Sequence, residues 1–547
     1  MEALVGGRLE TVAPRRVTDT TDRKILAGLV VVAVAVHGWL LAHTGVTARD
    51  SVGFARQALN FENPAVGAAA GASRTVVDVL RESQHPPGYP VAVWVASAGV
   101  RAVSSAPLPD QMLLSTQIAS VVAAVLLVFP TYWLGRTMFG KFAGFAAAVL
   151  FQVLPVPAHL LSDGLTEALY TLSIGCALLL GTRAVKSPGV GAFLLTGMAS
   201  GAAYLVRPEG AVAGLAAACV AAGLGFRRWP RSLAAGRLAA LAVGFCVLAL
   251  PYMLVIGRVT NKPAGMNILE KFNIREQVAK EGAEAPRAAD SPVLFAAWYE
   301  PEADASKPVW VAKTLVKETM KAGFYVPAAL AVFGLLLVRR RFGPEPWLAV
   351  PLVFAVLTGG VLVVLGMKSN YLSERHTLSI VYVGCFFAAV GVAEVGTLVK
   401  RLPVLRDIVG ERAAAGFVLA VLVAACVPAT LKPLHENRVG HVHIGRYLAQ
   451  EGALHDSDAL IDPFDWAAFY SGRTLQAIPP DPGEPRVRWA VLELDRAGQP
   501  EVPHSVTPRH SAAMDVFRDR DNPAEVAYRW PETGPARIVL LKQTVKK

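Results

Sequence analysis

Apolar residues in this chain gather into long unbroken runs rather than alternating with polar ones. Eleven runs, at about 25–43, 112–135, 142–158, 164–182, 190–206, 208–226, 236–257, 322–338, 346–366, 377–398 and 413–431, approach the roughly 20 residues needed to cross hydrocarbon. A soluble core would interrupt such runs every second or third residue. The pattern predicts a polytopic α-helical membrane protein. A twelfth stretch, YPVAVWVASAGVRAV at 89–103, is short for a crossing. The first run is too long for a signal-peptide core and lacks a small-residue cleavage site after it, so it reads as a retained anchor.

Charge settles the short stretch. If 89–103 lies at the interface and 1–24 is a cytoplasmic tail, the inner side receives Arg15, Arg16, Arg23 and Lys24. It also receives Arg136 and Lys141, Arg183 and Lys186, Arg227, Arg228 and Arg231, Arg339–Arg341, and Lys400, Arg401 and Arg406. Every short basic loop then falls inside, as the positive-inside rule asks. The outer side holds loop 44–111, the turn around Ser162–Glu167, Arg207-Pro208-Glu209, loop 258–321 and Lys368–His376. Past about 432 the composition turns soluble, with strand-like pieces DALID, VRWAVLEL and ARIVLL between helical stretches, which predicts a small outer α/β domain at 432–547.

Composition agrees. Hydrophobic residues make up 53% of the 547 and charged residues only 17%, and the mean hydropathy is +0.42. The net charge of +11 resides mainly in the short loops, which argues against a nucleic-acid partner. The five cysteines all lie inside apolar runs without a CxxC spacing, so neither disulfides nor a thiolate metal site is expected.

The polar residues that could carry chemistry fall on the outer side. Asp50, in ARDSVGFARQALNF, opens an amphipathic helical pattern just after the first span. It is either a helix cap or a general base. His85-Pro86-Pro87-Gly88-Tyr89-Pro90 is a stiff segment that either aims the interfacial helix or holds His85 and Tyr89 over the bilayer. Asp163 and Glu167, four apart in SDGLTE, are expected on one helix face, with Ser162 as a cap. They form an acidic first turn or a functional pair, and they leave a divalent metal as an option although no DxD motif is present; no other cofactor is expected. Arg207 and Glu209 are a charge pair in a turn with almost no loop around it. Lys368, Arg375 and His376 form a cationic outer loop suited to phosphate, against the alternative that Arg375 pairs with Glu374 or Asp163.

In their order, ARDSVGF, HPPGYP, SDGLTE, RPEG and YLSERH resemble the GT-C membrane glycosyltransferases that use polyprenyl-phosphate sugars, such as the lipid A aminoarabinose transferases and the protein O-mannosyltransferases. The resemblance covers about residues 20–430. It implies a GT-C fold and transfer of a hexose or pentose to a lipid, glycan or protein acceptor on the outer side of the cell membrane. It further implies Asp50 as the catalytic acid, Arg375 with His376 and Lys368 near the donor phosphate, and the Pro-Pro segment near the donor. Two positions depart from the relatives: Ser51 follows Asp50 where mannosyltransferases often carry an Asp-Glu pair, and His85 precedes Pro-Pro where aminoarabinose enzymes carry Lys. Read from the residues alone, a lipid-sugar transporter or a membrane scaffold remain the alternatives; a transporter tends to show paired halves and mid-membrane polar groups.

Overall fold

The structure is a computed structural model that describes residues 20–65, 73–262, 297–299, 306–343, 345–403, 410–450, 453–455, 458–473, 485–501 and 507–545. Arg15, Arg16, Arg406 and most of loop 258–321 lie outside the described residues, as do the side chains of Arg339 and Arg341.

Among the described residues eight helices are individually long and apolar enough to cross a membrane, and two bent pairs, each taken as one span, bring the number to ten. The helix Val190–Val206 is apolar too, but at 17 residues it is shorter than these. The first span is α1 (Thr20–Ala42), followed by the amphipathic α2 (Arg49–Glu62) and the short α3 (Val76–Glu82). The stretch at 89–103 is α4 (Gly88–Val103); at about 1.5 Å per residue its 16 residues fall short of the hydrocarbon thickness. Val91, Trp94 and Val95 on it are exposed while Tyr89, Val93 and Val100 are buried, which is the two-faced pattern of an interfacial helix.

α5 (Leu108–Phe139) runs on to α6 (Lys141–Val153) and α7 (Pro155–Ser162), which meet at a 67° bend. The cause is local: Leu154 precedes a proline, sits in extended conformation and cannot continue the helix. After α8 (Glu167–Lys186), α9 (Val190–Val206), α10 (Ala211–Arg227) and α11 (Arg231–Ile256) comes α12 (Lys307–Ala322). This helix falls in what the sequence reads as loop. Its buried residues Trp310, Val311, Thr314, Glu318 and Ala322 recur at helical spacing, so it packs as an amphipathic helix. A 107° break then leads into α13 (Val326–Phe342), with Pro327 in its first turn. The expected span 322–338 thus begins at the break itself. The bundle ends with α14 (Ala349–Ser369), α15 (Glu374–Lys400) and α16 (Glu411–Thr430); α15 is the most buried of the single-helix spans.

Beyond the bundle lie α17 (Val439–Leu448), β3 (Ala459–Ile461), α18 (Trp466–Tyr470), β4 (Val487–Glu493), α19 (Pro508–Arg518), β5 (Glu525–Trp530) and β6 (Ile538–Thr544). The sheet order is β3-β4-β6-β5, with β3 parallel to β4 and the other pairs antiparallel. Alternate residues of β4 and β6 face opposite ways. Trp489, Val491, Ile538 and Leu540 pack on Ile444 and Leu448 of α17. Ala490, Leu492, Val539 and Leu541 pack on Ala513 and Val516 of α19. The two short strands β1 (Ala297–Trp298) and β2 (Tyr371–Leu372) pair antiparallel and tie the second loop to the segment before Arg375.

The tail docks on the bundle through specific polar contacts. Trp466 Nε1 donates to the carbonyl of Thr47 at 3.1 Å, Arg446 pairs with Asp110 at 2.8 Å, and His435 pairs with Asp163 at 2.8 Å.

Candidate active site

Two close backbone approaches assemble the site. Gly88 lies so near the backbone of Leu205 that a Cβ would meet the Leu205 carbonyl oxygen at 2.6 Å, which brings HPPGYP against the residues leading into Arg207. Gly164 adopts φ +68°, and a Cβ there would meet Thr116 Oγ1 at 2.5 Å and Ser51 Oγ at 3.0 Å. A side chain is excluded from both places, and at Gly164 the left-handed backbone excludes it a second time.

Six charged side chains from five segments form one alternating series. Arg375 Nη1 donates to Asp50 Oδ2 at 2.6 Å, and Arg375 Nε donates to Glu167. Glu167 also accepts from Arg207 Nη1 at 2.8 Å. Arg207 lies 3.7 Å from Glu209, which accepts from Lys262 Nζ at 3.2 Å. Glu167 is only 1% exposed; Asp50, Arg375, Arg207 and Lys262 are partly open, at 18–24%. Three carboxylates against three cations leave the series neutral. A buried carboxylate is tolerable only with such partners.

The surroundings shift the groups that stand outside the spans. Burial alone would lower the Arg207 guanidinium, but Glu209 and Glu167 outweigh burial and hold its pKa above the ordinary value. Burial pulls Lys262 below its ordinary value despite Glu209. Burial, reinforced by Lys262, pushes His85 down to about 4, so its imidazole is neutral at neutral pH. His85 also meets the ring of Phe54 edge-on, with centroids 5.0 Å apart.

Several expected roles change with the geometry. Asp50 is not the cap of α2; Ala48 holds that position and Asp50 sits in the first turn. Asp163 and Glu167 are not on one helix face. Asp163 is the C-cap of α7, the left-handed Gly164 ends that helix, and Glu167 opens α8. Asp163 accepts from the backbone N–H of Ala48 at 2.9 Å and from His435 at 2.8 Å, which ties first loop and tail together. Ser162 caps nothing: it donates back to the Ala158 carbonyl at 3.0 Å and bonds His37. Arg375 pairs with neither Glu374 nor Asp163; Glu374 is held by Lys321 at 3.0 Å. His376 closes a capping box with Ser373 at the start of α15. Tyr89 is fully buried and donates to the Thr116 carbonyl at 2.8 Å, a core role. Lys368 is exposed in the last turn of α14 and makes no ion pair among the described residues. Among the described residues no group of three or more His, Cys, Asp or Glu side chains is gathered as a metal site.

Lys262 and His435 escaped sequence reasoning. Each is a lone charged or titratable residue a few positions past a span, which sequence cannot separate from a flanking anchor.

Alongside α15, five residues below Arg375, an apolar cavity of about 200 Å³ opens between α12, α13, α14 and α15, lined by Met320, Ala331, Ile380, Val383, Gly384 and Phe387 among others.

Residues 84–254 match the profile of the dolichyl-phosphate-mannose-protein mannosyltransferase family, a stretch that holds HPPGYP, SDGLTE and RPEG but neither Asp50 nor Arg375. A search of curated protein sequences gives no match. Among solved structures, ArnT from Cupriavidus metallidurans bound to undecaprenyl phosphate superposes with a TM-score of 0.53 at 15% identity, over 96% of this chain and 98% of that one. The Archaeoglobus fulgidus oligosaccharyltransferase in its apo form gives a TM-score of 0.50 at 12% identity, over 85% of this chain. The chain spans 61% of that enzyme's length. The architecture of this chain is therefore the GT-C fold of the membrane glycosyltransferases.

Proposed function

We propose that this chain is a glycosyltransferase that moves a sugar from a polyprenyl-phosphate donor to an acceptor hydroxyl on the outer side of the membrane. The single observation that carries the reading is the alternating series from Asp50 to Lys262 at one end of the bundle, with an apolar cavity that starts at Ile380, five residues further along α15 from Arg375. Charge at the bundle end and grease below it suit a ligand with a phosphate head and a hydrocarbon tail. The family match and the undecaprenyl phosphate bound by the structurally similar ArnT support the same ligand class.

The reaction is a single displacement. Asp50 takes the proton of the acceptor hydroxyl as its oxygen attacks the anomeric carbon. The bond from that carbon to the phosphate oxygen breaks, its electron pair leaves on the lipid phosphate, and the anomeric configuration inverts. Arg375 orients Asp50 and Glu167 with Nη1 and Nε, and its remaining donors are available to the leaving phosphate. Among the described residues Lys262 has a carboxylate partner only in Glu209, and it is the second cation we assign to the phosphate. His85, neutral at the pH of catalysis, contributes hydrogen bonding rather than charge.

Incubating the purified protein with a panel of polyprenyl-phosphate sugars and following free polyprenyl phosphate tests the proposal. Release from at least one donor is expected. Binding of every donor without release would favour a transporter. Placement on the outer side is checked by an engineered cysteine at Ser471, which an impermeant reagent should label in intact cells; labelling only after lysis would reverse the topology.

A further inference from the structure

A second cluster, next to the proposed base, has no assigned role. Arg49 and Arg56 lie seven residues apart on one face of α2. That face meets the tail. Arg509 reaches in from the first turn of α19. All three guanidinium groups converge on one carboxylate, Asp465, at 3.6, 3.8 and 2.8 Å. The neighbouring acid, Asp462, is fully buried and taken up by the backbone N–H groups of Phe464 and Ala468, each at 2.9 Å. Among the described residues two carboxylates, Asp465 and the buried Asp462 behind it, therefore stand against three guanidinium groups.

Two buried donors in the same place lack acceptors. Among the described residues Arg49 Nη1 has no hydrogen-bond partner, and neither has Nε2 of His510, the residue after Arg509, which is 4% exposed. His510 Nδ1 is engaged by Thr507 at 2.7 Å, so the ring is held in place. Arg56 stands over the ring of Phe469, 5.8 Å from its centroid. Leaving buried donors unmade is costly, and like charges crowded together repel. A tetrahedral or planar oxyanion, with several lone pairs and a matching charge, resolves both at once.

Resting on the transferase reading above, we propose that Arg49, Arg56 and Arg509 form a subsite for an oxyanion, a phosphate or carboxylate carried by the acceptor glycan. Arg49 directly precedes Asp50, so an anion held here places its carrier on the tail side of the base. The cluster lies where α2 meets the tail. A membrane lipid headgroup is therefore the less suitable source.

Inorganic phosphate is the probe, titrated at low ionic strength against the full chain in neutral phosphatidylcholine nanodiscs, with thermal stability and calorimetric binding as readouts. Phosphate bound near Lys262 contributes equally to every variant. Arg509→Gln should weaken the tail-side component by about tenfold, the loss of one charged hydrogen-bonding partner. Asp465→Asn should strengthen it, because the competing carboxylate is gone. If the cluster is only a latch between loop and tail, both variants destabilise the protein and neither changes phosphate binding; that result, or weakening by both, overturns the proposal. Loss of the phosphate effect in phosphatidylglycerol nanodiscs would assign the site to a lipid headgroup and overturn the acceptor reading. Binding is read without sugar transfer, so a failure of the transferase reading registers separately, in the donor assay.

Discussion

Charged clusters occupy both ends of the helix bundle, and they are built differently. At one end Asp22, wholly buried, accepts from Tyr132 at 2.6 Å and pairs with Arg136 at 3.0 Å and Lys141 at 3.8 Å. Its partners come from the end of α5 and the start of α6, neighbours in the chain. At the other end six groups from five segments alternate, Asp50 and Arg375 being 325 residues apart, and most of them keep an open edge. The Asp22 cluster ties the first span to one short stretch of chain, Tyr132 to Lys141, around a single carboxylate, and serves packing. One that gathers five segments and three carboxylates, at the cost of desolvating several charges, calls for a reason beyond stability.

The comparison breaks first at Asp50. Asp50→Asn keeps size and removes the proposed base; turnover should drop by about 100-fold or more while donor binding persists. Next comes the buried centre of each cluster. Glu167→Gln and Asp22→Asn each remove a buried carboxylate from partly exposed cations, and each should destabilise by up to about 3–5 kcal/mol. Only Glu167→Gln should lower turnover per folded molecule; equal losses at the two ends would erase the distinction. Arg375→Lys comes third. A single ammonium cannot hold Asp50 and Glu167 with two fixed donors, so turnover should fall by about tenfold with the fold retained. Unchanged turnover would make Arg375 a mere counter-ion.

The smallest effect concerns pH. His85 has its folded pKa depressed to about 4 from 6.5. Its neutral form contributes stability that is complete above pH 6.5 and is lost as pH falls toward 4. Because His85 is only half-buried, the loss should be on the order of 1 kcal/mol. His85→Gln should flatten the melting-temperature profile across that window; an identical profile would remove His85 from the account.

The crossing segments were legible because hydrocarbon imposes length and polarity on each one separately, with no knowledge of its neighbours. For 89–103 the basic loops favour an interfacial helix, and its 16-residue length and two-faced burial agree with that reading. What sequence reading missed has one physical source. Breaks in helices depend on a single backbone angle, and the left-handed Gly164 separates Asp163 from Glu167 although their spacing fits one helical face. Partners depend on packing. Arg375 sits beside Glu374 in sequence, yet it turns to Asp50 and Glu167 while Glu374 turns to Lys321. Lys262, His435 and the arginines around Asp465 acquire meaning only from partners on other segments of the chain, hundreds of positions away for His435, Arg49 and Arg56.

The most direct test of the central claim is turnover per folded molecule for Asp50→Asn and Asp22→Asn side by side, with a polyprenyl-phosphate sugar that the wild type cleaves. The account predicts a loss of about 100-fold in turnover per folded molecule for Asp50→Asn, and near-normal turnover for whatever Asp22→Asn protein remains folded. Normal turnover in Asp50→Asn, or a comparable loss in folded Asp22→Asn, would contradict it.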